Sequence, residues 1–88
     1  MSEATVQIAW TPTARRALSR LPDKVAAAAV EFIYGALADN PQRVGKPLRR
    51  ELEGLHSARR GDFRILYRIS TVVTIMAIDH RADIYRTH

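Results

Sequence analysis

"GDFRILYRI", residues 61–69, alternates apolar and charged residues at a period of two, as a half-buried β-strand does. Successive side chains of a strand point to opposite faces. Phe63, Ile65, Tyr67 and Ile69 therefore share one face, which is expected to pack on a core, and Arg64, Leu66 and Arg68 share the other. Two guanidinium groups on one strand face are a costly way to finish a core and an effective way to meet a polyanion. Working outward, "HSAR" (56–59) reads as a preceding strand, with "RGD" (60–62) as a turn signal. "VVTIMAIDH" (72–80) reads as a following strand, its apolar run from Val72 to Ile78 suiting a central position covered on both faces. Ser70 and Thr71 would close a tight hairpin between them.

Ahead of this meander the periodicity changes. "TVQIAW" (5–10) alternates and predicts a first strand. Thr11 is placed to cap a helix with Pro12 at its first position, and Ala14, Leu18 and Leu21 give that helix one apolar side. Pro22 interrupts, and Asp23 opens a second helix running to about Asp39, with Val25, Ala29, Phe32, Ile33, Ala36 and Leu37 as its apolar stripe. Asn40-Pro41 ends it, and "QRVGKPLRRELEGL" (42–55) reads as mostly loop or distorted strand. The order β-α-α-β-β-β predicts an α+β domain spanning residues 1–88: an antiparallel sheet of about four strands with an N-terminal two-helix hairpin on one face.

Eighty-eight residues leave room for one core. No apolar run approaches the ~20 residues that cross a bilayer, and "MSEATVQIAW" lacks the basic start and apolar stretch of a secretory signal, so a cytoplasmic location without membrane attachment is expected. With no cysteine and three scattered histidines, neither a disulfide, a metal site nor a cofactor is expected. The net charge of +5 arises between residues 42 and 68, where eight basic residues meet three acidic ones. Seven of those eight are arginine, whose planar fork matches phosphate oxygens. This patch makes Lys46, Arg49, Arg50, His56, Arg59, Arg60 and Arg68 candidate nucleic-acid contacts.

The C-terminal "DHRADIY" (79–85) adds His80, Arg81 and Tyr85 within six residues. Histidine titrates near neutral pH, tyrosine donates a proton or stacks on a base, and arginine holds phosphate. That inventory suits metal-free RNA cleavage, in which the ribose 2′-hydroxyl attacks its own phosphate and the crowded phosphorus needs positive charge. Arg64, Arg81, Tyr85 and His80 are the catalytic candidates. A strand-end histidine also serves as a carbonyl cap and a terminal tyrosine as an edge seal; the residues alone leave both readings open.

Taken together, "WTPTARRALSRLP", "VEFIYGAL", "NPQRVGKPLRRELEGLHSARRGDFRILYRI" and "DHRADIY" resemble the RelE branch of the RelE/ParE toxin superfamily, in particular its actinobacterial members. The resemblance implies a RelE-like fold and a toxin of a type II toxin–antitoxin module. It implies an endoribonuclease that cleaves messenger RNA in the ribosomal A site, leaving a 2′,3′-cyclic phosphate and a 5′-hydroxyl, and so arrests translation and growth. The implied partners are the ribosome with its 16S RNA, the message, and a cognate antitoxin joined in a heterotetramer or higher complex that reaches operator DNA through the antitoxin. By position the family's strand arginine falls on Arg64, its C-terminal arginine on Arg81 and its tyrosine on Tyr85. Lysines that some members carry would fall near Leu55 and Ser57, and the acidic base of a sister branch on Leu48, so the general base is unassigned, with His80, His56 and Tyr85 as candidates. The alternatives are a ParE-type toxin acting on DNA gyrase without catalysis, or a degenerate toxin retained for antitoxin and DNA binding.

Overall fold

The computed structural model describes residues 6–48 and 54–80. Its elements run β1 (Ile8–Trp10), α1 (Pro12–Arg20), α2 (Asp23–Phe32) with a π-helical turn over Ile33–Leu37, α3 (Pro41–Val44), β2 (Lys46–Pro47), β3 (Leu55–Arg60), β4 (Phe63–Ile69) and β5 (Val73–His80). The strands form one five-stranded sheet in the order β1-β5-β4-β3-β2. The expected antiparallel meander is present in β3, β4 and β5. Two features extend the expectation: β1 joins β5 in parallel, making the sheet mixed, and Lys46–Pro47 adds a short antiparallel edge beside β3.

Thr11 caps α1 as its chemistry predicts. Its Oγ1 accepts the Ala14 N–H at 3.0 Å, and Pro12 takes the first helical position. Pro22 separates α1 from α2, and Ala14, Leu21, Ala29, Phe32, Ile33 and Leu37 pack against Ala58, Phe63, Ile65, Tyr67, Val73, Ile75 and Ile78 of the sheet. The π-helical turn adds one residue to the helical cycle. Leu37 and Ala38 consequently reach the core, while Ala36, assigned to the apolar stripe from the sequence, is exposed. Exposed Tyr34 in this turn accepts a hydrogen bond from Trp10 Nε1 at 2.8 Å. The stretch read as loop after Asn40 begins instead with α3, because Pro41 pre-sets helical φ at its first position and the Asn40 carbonyl accepts from both Arg43 and Val44.

The β3–β4 connection is the two-residue turn Gly61-Asp62, with Gly61 at φ +56° in the first central position, where a type II′ hairpin needs a residue free of Cβ strain. β4 and β5 join through residues 70–72, one residue longer than the Ser70-Thr71 turn expected from the sequence. Their ladder contains a bulge: Leu66 faces Ala77 and Tyr67 faces Ile75, so Met76 is the extra residue. The bulge carbonyls do not go unmet. Thr11 Oγ1 lies 3.2 Å from the Ile75 oxygen and 3.1 Å from the Met76 oxygen, and the Thr11 N–H donates to Ile75 at 3.1 Å. The residue that starts α1 thus also fixes the irregular point of β5, which is an interior strand but is fully buried only on its helix-facing side.

Candidate functional site

Residues paired across neighbouring strands lie on the same face of a sheet. The register therefore sorts every described candidate onto one of two faces. β4 behaves as its alternation predicts, with Phe63, Ile65 and Tyr67 buried under the helices and Arg64 and Arg68 exposed on the other side. Beside Arg64 stand Arg59 on β3 and Asp79 on β5, giving a row across three strands on the open face. The next row is Lys46, Ser57, Leu66 and Ala77, and the one beyond contains Leu55, Arg68 and Thr74. Lys46, Arg59, Arg64 and Arg68 thus share one surface.

Two like charges placed directly opposite destabilise a strand pair, by roughly 0.2–1 kcal/mol. Arg59 faces Arg64 in this way, and an anion placed between them would offset the cost. Among the described residues neither Arg64 nor Asp79 is tied up in an ion pair, so the Arg64 fork is available to a ligand. No aromatic ring belongs to the described part of this face, so its grip on a nucleic acid would be through the backbone phosphates rather than by base stacking.

The remaining described candidates face the helices. His80, one of the three candidate bases, pairs with Phe63 and is buried, 8% exposed, on the helix side rather than beside Arg64. The cause is the bulge: counted in twos from buried Val73 and Ile75, residue 79 would be inside and residue 80 outside, but the extra residue at Met76 reverses the parity. Arg60, also opposite Phe63, carries its guanidinium 5.2 Å from the centroid of the Phe32 ring, a cation–π contact on the helix side. Phe32 in turn meets Phe63 edge-on with centroids 6.3 Å apart. His56 pairs with Tyr67 and stacks on it at 5.6 Å, its Nδ1 buried and, among the described residues, without a hydrogen-bond partner. Arg49, Arg50, Arg81 and Tyr85 lie outside the described residues.

One residue that sequence reasoning treated only as core holds the basic edge in place. Tyr67 Oη donates to the Pro41 carbonyl at 2.6 Å and accepts the Gly45 N–H, while burial pushes its hydroxyl up to about 12. Gly45 is glycine because a Cβ there would collide with Tyr67 Oη and come within 2.8 Å of the Ser57 carbonyl oxygen. This contact fixes the segment that enters β2, and with it the position of Lys46 on the open face.

The comparisons with known proteins agree with this architecture. Residues 8–85 match the family described as the ParE toxin of the type II toxin–antitoxin system parDE. The toxin RelG of Mycobacterium tuberculosis is 58% identical over 82 residues, covering 90% of this chain and 94% of RelG. The chain belongs to this toxin family. The toxin RelE of the same organism is 56% identical, over 90% of this chain and 84% of its own. The crystal structure of the M. tuberculosis toxin–antitoxin complex RelBE2 contains a chain that superposes with a TM-score of 0.83 at 54% identity, covering 88% of this chain and 99% of that one. Within the family the toxin is therefore of the RelE/RelG type, with the RelE-like fold, and that membership supports a metal-independent endoribonuclease activity. Among the described residues no helix is long and apolar enough to cross a membrane.

Proposed function

We propose that this toxin cleaves messenger RNA in the ribosomal A site and that the open face of its sheet is the surface that holds the scissile phosphate. The reading rests on one observation above the rest: Arg59 and Arg64 stand in register on an exposed face that also carries Lys46 and Arg68. Arg64 occupies the centre of that face on the middle strand and acts as the phosphate-charge stabiliser, since a guanidinium stays protonated throughout and presents a fork of donors. Arg59 and Lys46 hold flanking phosphates. By the family resemblance and side-chain chemistry, Arg81 is assigned as a second phosphate ligand and Tyr85 as proton donor or stacking platform. Reaction by 2′-hydroxyl attack yields a 2′,3′-cyclic phosphate and a 5′-hydroxyl and asks nothing of a metal.

An antitoxin is the natural partner, as in the RelBE2 complex, and its acidic residues would quench the same basic face. Both proteins act in the cytoplasm, where the antitoxin carries the complex to operator DNA. The deciding experiment is primer extension on translated messenger RNA in cells expressing the toxin. Cuts at codon boundaries are expected, and Arg64→Ala should lower cleavage by about 10²–10³-fold while leaving the melting temperature unchanged. Undiminished toxicity in both Arg64→Ala and Arg81→Ala, or gyrase-dependent DNA breaks without RNA cleavage, would replace this reading with the ParE-type one.

A further inference from the structure

We infer that Asp79 is the general base, the group that takes the 2′-hydroxyl proton of the RNA; the inference rests on the ribonuclease reading above. The fold removes His56 and His80 from the open face and puts a carboxylate there instead, directly opposite Arg64. Asp79 is exposed, as is Arg64, and among the described residues neither is spent on an ion pair. A negative charge on a surface that binds a polyanion opposes binding, so its place at the end of the arginine row, directly beside Arg64, calls for a chemical role. The bulge at Met76 is the independent sign. Bulges next to active sites re-aim side chains, and this one turns residue 79 outward and residue 80 inward, while Thr11 holds its carbonyls.

One cross-strand spacing, about 5 Å, separates the two side-chain stems. Arg64 can hold the scissile phosphate while Asp79 reaches the hydroxyl of the ribose attached to it. The Asp79 carboxylate accepts the 2′-hydroxyl proton as the 2′ oxygen bonds to phosphorus. The bond from phosphorus to the 5′ oxygen breaks, and that oxygen takes a proton from water. Asp79 then returns its proton to the solvent. Among the described residues, the charged groups facing Asp79 are Arg64 on β4 and, one strand further, Arg59 on β3; on its other side the pairing with β1 stops at Ile75.

Single-turnover cleavage of ribosome-programmed message tests this across pH for the wild type, Asp79→Asn, Asp79→Glu and Arg64→Ala. Binding is measured in parallel with a 2′-O-methyl message that cannot be cut. Asp79→Asn is expected to lower cleavage by about 10²-fold or more, to erase the acid limb of the pH–rate profile, and to bind the 2′-O-methyl message as tightly as the wild type or tighter. Asp79→Glu should keep the acid limb and recover part of the rate. Cleavage by Asp79→Asn within a few-fold of wild type would overturn the assignment, as would a parallel loss of binding and cleavage. If the wild type cuts and Arg64→Ala does not, either overturning result for Asp79→Asn refutes the Asp79 assignment alone; a wild type inert on programmed ribosomes ends the ribonuclease reading and this inference together.

Discussion

Among the described residues, two places hold one residue more than regular geometry allows, the π-helical turn at Ile33–Leu37 in the second helix and the bulge at Met76 in β5. Each advances the phase of everything after it. In the helix the exchange is between two alanines, Ala38 going in and Ala36 coming out, and one small apolar side chain replaces another with little consequence. In the strand the exchange is between Asp79 and His80, which differ in charge and in proton chemistry, and it decides which of them stands beside Arg64. The same geometric device is silent where neighbouring residues are alike and decisive where they are not.

Deleting one residue from each irregularity separates the two most sharply. Removing Met76 restores unbroken pairing, but it straightens β5 and discards one carbonyl that Thr11 holds; misplacement of a reacting group by about 1 Å costs on the order of 10²-fold, so single-turnover cleavage is expected to fall by about 10–100-fold. Removing Gly35 should leave the cleavage rate per folded molecule unchanged. Thr11→Ala loses the helix cap and the bulge contact together, and urea denaturation should show a loss of about 1 kcal/mol or somewhat more.

The contrast between faces also has a pH signature. Tyr67 is pushed up to about 12 when folded, above the value near 10 it has when unfolded. An acid whose folded value is raised favours the folded state at low pH, so its contribution is complete below about pH 10 and is lost as pH rises through 12. Denaturant midpoints should hold steady and then fall across that window, and Tyr67→Phe should flatten the fall. The smallest effect expected of a side-chain substitution is that of His80→Leu. A buried residue on the helix side can lose its imidazole without touching RNA, so cleavage should stay within about threefold, a barrier change on the order of 0.6 kcal/mol.

Regular segments were legible from sequence because their side chains obey one period throughout. β4 shows this best, its alternating Phe63, Ile65 and Tyr67 against Arg64 and Arg68 giving the correct faces without help. The cap at Thr11 and the turn at Gly61 were equally readable, since local chemistry alone sets them. What could not be read depends on partners distant in the chain. The parallel seat of β1 is an outcome of whole-sheet packing. The helical turn at Pro41 is held by Tyr67, and Arg60 is drawn to Phe32, by contacts that no short window contains. The bulge left one hint, an apolar run in which Val73, Ile75 and Ile78 cannot share a face under strict alternation. Asp79 went unnoticed because its neighbour His80 carries the more familiar chemistry.

Thr11 and the bulge carbonyls it meets are 64 and 65 residues apart. Contacts of such long range form late, because the intervening chain must first be gathered. The first strand therefore waits for β5, and a nascent chain emerging from the ribosome cannot close this sheet until the residues through Ile75 have been synthesised.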